Sequence, residues 1–283
     1  MDRNPAAEAV RVEGLRVTYG ARVALGDVTL SLRVGQATSL IGPNGSGKST
    51  LLNAIAGLRR PAAGRVTVLG ADPAAVRARI AYVLQSTTSG EHLPVTVREA
   101  VAMGRYAHRG ALRRLTREDR RLVDESLERL DLVALAQRHL RELSGGQRQR
   151  VFVAQGLVQR ADVLLLDEPL AGLDVASQQA ILATVAEERD RGVTVVTSTH
   201  DLSEAAAADN LVLLATDLVA AGPPGQVLTA EHLGRAYGGA VLRLDGGTVM
   251  VDDGAHHHSR DDSHDHGGHE HRADELRPHP PTG

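Results

Sequence analysis

The stretch LIGPNGSGKSTLLNAIAGL, residues 40–58, holds the only lysine of the chain: of 32 Lys and Arg residues, all but Lys48 are arginine. Gly42 to Ser49 fits the spacing GxxxxGK followed by Ser or Thr, with Thr50 next. The apolar run ATSLIG before it reads as a strand. The residues after it carry Leu and Ile at helical spacing and stop at Gly57. Strand, glycine-rich turn and helix is the order that a phosphate cradle requires. Gly42, Pro43, Asn44, Gly45, Ser46 and Gly47 let backbone N–H groups converge on phosphate oxygens, and the helix N-terminus adds positive potential. Lys48 then reaches the β- and γ-phosphates, and Ser49 is placed for Mg²⁺. Arginine is a planar fork on a longer stem, whereas this loop has to wrap a compact point charge. That accounts for a lysine here in a chain that otherwise uses arginine. An ordinary glycine turn before a helix leaves the solitary lysine unexplained.

A second stretch supplies the complementary acid. VLLLDEP, residues 163–169, reads as a strand buried on both faces that ends in Asp167 and Glu168. Asp167 is placed to hold Mg²⁺ through water, and Glu168 to orient and deprotonate an attacking water. Two adjacent carboxylates at a strand end cost folding energy unless a cation and a task are present.

Around these two stretches the chain alternates strands and helices. VRVEGLRVTYG, VTLSLRVG, GRVTVLG, VTVVTSTH and NLVLLATD read as strands, and SQQAILATVAEERDRG and LSEAAAA as helices. Between them, TVREAVAMGRYAHRG and TREDRRLVDESLERLDLVALAQRHL read as two charged, amphipathic helices. Thr96 and Thr116 are their N-caps, and Glu99 and Asp119 stand three residues on. The expected organisation is an α/β core over residues 1–85, an all-helical insert over 86–142, the rest of the core over 143–240, and an extension over 241–283.

Composition sets the outer limits. The chain has 283 residues, 42% hydrophobic and 24% charged, which suits an ordinary globular core. A formal net charge of -3 and no long basic run give no electrostatic footprint for nucleic acid. Cysteine is absent, so disulfides and thiolate metal sites are excluded. No stretch is apolar enough for a signal peptide or a membrane span, so the expectation is a cytoplasmic chain, peripheral on the inner face of a membrane if it serves one. Aromatic residues are few, with one Phe, four Tyr and no Trp.

With LSGGQ at 143–147, these motifs make residues 10–240 resemble the ATP-binding subunits of ABC transporters. The resemblance implies a phosphate-loop ATPase fold: a mainly parallel sheet, an antiparallel β subdomain and an all-helical insert. It also implies site roles. Tyr19 would stack on adenine, and Gln85 would touch Mg²⁺ and the membrane partner. Asp174, in AGLD, would lie in the loop that crosses between subunits, and His200 would contact the γ-phosphate. Ser144, Gly145, Gly146 and Gln147 precede a helix and form a second anion-binding N-terminus. One nucleotide does not need two cradles, so the resemblance implies a head-to-tail homodimer that closes on two ATP molecules. It further implies a separate membrane permease and, through it, an extracytoplasmic metal-binding protein. A non-transport ABC ATPase is the alternative. It usually carries tandem units, coiled coils or Cys modules, all missing here.

The cargo is read from two further features. LPVTVREAVAMGRYAHRG and LLLDEPLAGLD look like the ATPases of zinc and manganese importers, and the first also like those of ferric siderophores. Leu84 before Gln85 and Ala171 opening AGLD depart from the commoner Pro and Ser of those families. Eight of the 13 His lie between His256 and His279 among Asp, Gly and Pro, a composition that reads as a disordered tail. His256, His257, His258, His264, His266, His269 and His271 offer imidazoles suited to Zn²⁺. Zinc is therefore the expected cargo, although a purely solubilising tail would have much the same composition.

Overall fold

The computed structural model describes residues 7–84, 94–110 and 113–238 in full, and the backbone of 241–243 and 249–251. The chain divides into two units, residues 1–252 and 253–283, and the described residues all fall in the first.

The chain opens with β1 (Glu8–Tyr19) and β2 (Arg22–Arg33), an antiparallel pair. β3 (Ala37–Ile41) runs into α1 (Lys48–Ile55), and β4 (Ala63–Val68) returns to pair with β1. Next come β5 (Ile80–Val83), α2 (Val97–Met103), α3 (Tyr106–Arg109), α4 (Arg117–Arg129) and α5 (Gly145–Leu157). β6 (Val163–Asp167), α6 (Val175–Asp190), β7 (Thr194–Ser198), α7 (Leu202–Ala206) and β8 (Asn210–Ala215) restore the alternation. The described residues end with β9 (Asp217–Gly222), α8 (Pro224–Val227), α9 (Ala230–Tyr237) and the short pair β10 (Val241–Arg243) and β11 (Val249–Val251).

Two larger sheets result, one in the order β2-β1-β4 and one in the order β5-β6-β7-β3-β8-β9. The second is parallel except for β9, which pairs antiparallel with β8. This is the fold expected from the sequence, a mainly parallel sheet with an antiparallel partner and helices. The strands of a parallel sheet are covered on both faces, and successive side chains go to opposite sides. Within β6, Val163 and Leu165 join a core with β1, β2, β4 and α1. Leu164 and Leu166 join a second core with α2, α4, α5 and α6. A third, smaller cluster packs α7, α8 and α9 against Leu211 and Leu213 of β8. At about 25 cal/mol per Å² of apolar surface, each such fully buried Leu contributes roughly 2 kcal/mol.

Several expectations need correction. TVREAVAMGRYAHRG is not one helix: α2 stops at Gly104, and Arg105 turns inward before α3 begins. TREDRRLVDESLERLDLVALAQRHL is helical only to Arg129, because Asp131 takes a positive φ of 53° that an α-helix cannot carry. β5, β9, α8, α9, β10 and β11 were not read as elements. β9 carries a short segment of small and apolar residues (DLVAAG) with little periodicity, and its pairing is decided by the neighbouring β8.

The helical region is tied together by one buried carboxylate. Asp119 is fully buried and completes the capping box of α4 with Thr116. It also accepts from Arg105 Nε at 2.8 Å and pairs with Arg109 at 3.1 Å. Arg105 in turn donates to the Val158 carbonyl at 2.9 Å, beyond the end of α5. Burial works to raise this carboxyl, but the Thr116 and Arg105 hydrogen bonds and the Arg109 charge outweigh it and hold Asp119 well below the usual range. Asp119→Ala leaves Arg105 buried without its partner and is expected to destabilise the chain by about 3 kcal/mol. Since the folded pKa lies below the unfolded value of about 3.9, this contribution is complete above that pH and is lost as pH falls. Urea melts of wild type and Asp119→Ala should therefore differ most near neutrality and converge in acid. A constant difference down to acid pH would contradict the ion-pair account.

Candidate functional site

The site is built where β3, β6 and β7 end. Because β7 lies between β6 and β3, the loop after β3 and the acidic end of β6 flank the end of β7. α1 begins at Lys48 with no side-chain cap hydrogen bond, as a helix N-terminus that receives an anion would. The loop before it is held tightly. A Cβ on Gly42 would stand 2.1 Å from the Leu214 carbonyl oxygen, and one on Gly47 2.4 Å from Leu25 Cδ2. Both glycines also take positive φ, 144° and 104°, where a side chain would be strained. Lys48 is buried, and its Nζ donates to the Gly42 carbonyl at 2.7 Å and the Pro43 carbonyl at 3.3 Å. Ser46 Oγ is buried with no hydrogen-bond partner, a donor suited to a phosphate oxygen. A cleft of about 310 Å³ opens over this loop, lined by Tyr19, Arg22, Ala24, residues 44–50 and Glu168.

Asp167, buried at the end of β6, is tied to the start of α1 through Ser49. Its Oδ1 accepts from Ser49 Oγ at 3.1 Å and from Ser198 Oγ at 2.6 Å, and its Oδ2 accepts from the Tyr82 hydroxyl at 3.3 Å. Burial, and then the Asp167 charge, push the Tyr82 hydroxyl well above its ordinary pKa, so it stays protonated and donates. A carboxylate and a hydroxyl this close form the oxygen-only donor set that Mg²⁺ prefers, and Ser49 and Asp167 fit that ion. Glu168 follows with φ 45°, a left-handed conformation uncommon outside glycine. Its backbone N–H donates to Ser198 Oγ at 2.9 Å. His200, exposed just past β7, lines a smaller cleft of about 140 Å³ that also contains Glu168. Glu168 thus borders both spaces. Neither Ser198 nor Tyr82 was singled out from the sequence. Their only signal is register: β6 pairs Asp167 with Ser198, and β5 runs beside β6.

Tyr19 ends β1, is 46% exposed and faces the larger cleft. The guanidinium of Arg59 lies 4.2 Å from its ring centre, a cation–π contact on the same aromatic ring. Arg59 is a further residue that the sequence did not mark.

The other expected residues are placed as follows. Ser144 is the N-cap of α5 and forms a capping box with Gln147, whose side chain accepts from Ser144 N at 3.0 Å. A Cβ on Gly145 would meet nothing within 4 Å, whereas one on Gly146 would stand 2.6 Å from Asp174 Oδ2. Asp174 caps α6, accepting from Ser177 N and Ser177 Oγ, both at 2.9 Å, and these bonds hold its carboxyl below the usual range. None of residues 144–147 lines the cleft over the phosphate loop. Gln85 and the seven tail histidines from His256 to His271 lie outside the described residues. No helix among the described residues is long and apolar enough to cross a membrane.

Fold and cleft together define a phosphate-loop nucleoside triphosphatase. The family described as "ABC transporter" matches residues 25–171. A manganese transport ATP-binding protein of Synechocystis is 42% identical over 237 residues, covering 82% of this chain and 91% of that one. A zinc transport ATP-binding protein of Treponema pallidum is 39% identical over 236 residues, covering 83% and 89%. Among solved structures, a metal-chelate type ABC transporter in an inward-facing conformation shares 28% identity with a TM-score of 0.72, over 87% of this chain and 96% of that one. The chain belongs to the ABC transporter family, as an ATP-binding, ATP-hydrolysing subunit.

Proposed function

We propose that this chain is the cytoplasmic ATPase of an importer for a divalent transition metal, acting as a homodimer against a separate membrane permease. The observation that carries the dimer is the division of the site. The triphosphate cleft is lined by Tyr19, the phosphate loop and Glu168, while the N-terminus of α5 with Ser144, Gly145, Gly146 and Gln147 stands outside it. A second copy, turned head to tail, supplies that N-terminus to the γ-phosphate and receives the same in return. Tyr19 stacks the adenine, Asn44 to Thr50 wrap the phosphates through backbone N–H groups, and Lys48 neutralises the β- and γ-phosphates. Ser49 and Asp167 would hold Mg²⁺, with Gln85 as a further ligand, and the ion would supply charge neutralisation on the phosphates. Glu168 accepts the proton of the attacking water, and His200 orients the γ-phosphate. Asp174, capping α6 and packed on Gly146, joins the N-terminus of α5 to the loop that faces the second copy. Loss of the γ-phosphate opens the pair, and the helical region passes that rigid-body motion to the permease.

The names of the relatives support transition-metal import; delivery of the ion to the permease by an extracytoplasmic binding protein is part of the same proposal. Most of the relatives name manganese, against one that names zinc and one that names chelated iron. Zinc is favoured by the tail histidines, which would hold Zn²⁺ through several imidazoles exchanging among sites. Uptake of radioactive manganese and zinc by a deletion strain decides between the two metals. Wild type should restore uptake of one metal, Lys48→Ala should not, and a variant lacking residues 254–283 should keep ATPase activity while losing most zinc binding. Unchanged uptake of both metals in the deletion strain would refute metal import.

A further inference from the structure

We propose that Ser198 is a positioning residue for hydrolysis, the group that holds the metal-holding acid and the water-activating acid in one register. The inference rests on the assignment of Asp167 and Glu168 given above. Ser198 ends β7, the strand between β6 and β3, and is fully buried directly opposite Asp167 in the parallel ladder. Its hydroxyl has one proton and two lone pairs. The proton goes to Asp167 Oδ1 at 2.6 Å, and one lone pair receives the Glu168 N–H at 2.9 Å. Both bonds are made by one oxygen, so the carboxylate of the first residue and the backbone of the second cannot shift independently.

The second bond matters because Glu168 sits at φ 45°. A non-glycine residue is disfavoured in that region and persists there only when its surroundings hold it. In the left-handed conformation, Glu168 borders both the triphosphate cleft and the His200 cleft. Asp167 keeps two other donors, Ser49 on the same oxygen and Tyr82 on the other, so losing Ser198 leaves the carboxylate bonded. The Glu168 N–H, by contrast, is held by the Ser198 hydroxyl. Its loss should therefore act on the geometry of the attacking water more than on nucleotide binding. His200 lies two residues further along the same chain, so one strand end sets both acids and the residue facing the γ-phosphate.

The test uses the full chain with Ser198→Ala, Ser198→Thr and Glu168→Gln, reading kcat, KM, calorimetric ATP affinity with and without Mg²⁺, and melting temperature. Ser198→Ala is expected to lower kcat about thirtyfold while KM and Mg²⁺-free ATP affinity stay within about twofold. Ser198→Thr keeps the hydroxyl and should recover kcat to within about threefold of wild type. Wild-type kcat in Ser198→Ala overturns the proposal. So does a fall in kcat matched by an equal loss of ATP affinity and a lower melting temperature in both Ser198 variants, since that marks a purely structural role. Hydrolysis at the wild-type rate by Glu168→Gln would refute the underlying assignment of Glu168 instead, whatever Ser198 does.

Discussion

Glu168→Gln is expected to reduce ATP hydrolysis by about a thousandfold, within the range that a single general base contributes, while ATP affinity stays close to wild type. Glutamine keeps the length and branching of glutamate, so the φ of 45° and the bond from the Glu168 N–H to Ser198 are undisturbed. What is lost is an oxygen able to take a proton. Glu168 lines the triphosphate cleft but is distant in function from the loop that wraps the phosphates, so the binding elements remain. If each nucleotide is clamped between the phosphate loop of one copy and the α5 N-terminus of another, blocked hydrolysis leaves the γ-phosphate in place as the bridge. The variant should then elute as a dimer with ATP and Mg²⁺ and as a monomer with ADP. A variant that stays monomeric with ATP would remove the head-to-tail dimer, and one that turns over at the wild-type rate would remove Glu168 as the base.

The parts of the fold legible in the sequence are those in which local chemistry and tertiary structure agree. The continuous apolar runs of β6 and β7 read as buried strands because a parallel sheet covers both faces. The glycines of the phosphate loop read as a cradle because a Cβ at Gly42 or Gly47 would collide with neighbouring chain. Thr96 and Thr116 read as caps because the capping box is local, spanning three residues. Failures occur where a distant partner decides. Arg105 breaks a helical pattern to reach Asp119, 14 residues on, and α4 stops where Asp131 turns left-handed. Ser198, Tyr82 and Arg59 have no pattern of their own. Each gains its place through strand register or stacking that joins residues 31, 85 and 40 positions apart. Asp174 was read only as a loop residue between subunits, and its short-range bonds to Ser177 show that it also caps α6.

The lone lysine carries the second large expectation, and arginine is its sharper test. Lys48→Ala removes the buried ammonium and should weaken ATP binding about a hundredfold, equivalent to about 2.7 kcal/mol. Lys48→Arg keeps the positive charge, so a site needing only charge would tolerate it. The geometry predicts otherwise. Nζ sits 2.7 Å from the Gly42 carbonyl and 3.3 Å from the Pro43 carbonyl, curled inside its own loop, and the residue is 5% exposed. A guanidinium is wider, longer and planar, and its fork cannot take the place of a compact ammonium between those carbonyls. Nor can the loop expand, because Gly42 is pressed on the Leu214 carbonyl and Gly47 on Leu25 and Ala24. Lys48→Arg should therefore lose at least tenfold in ATP affinity while melting close to the wild-type temperature. If the ammonium serves the β- and γ-phosphates, both variants should lose less affinity for ADP than for ATP. Calorimetric titration with the two nucleotides reads all four constants. Wild-type ATP affinity in Lys48→Arg would mean that charge alone is recognised here, and that the single lysine of this chain has no steric reason to be one.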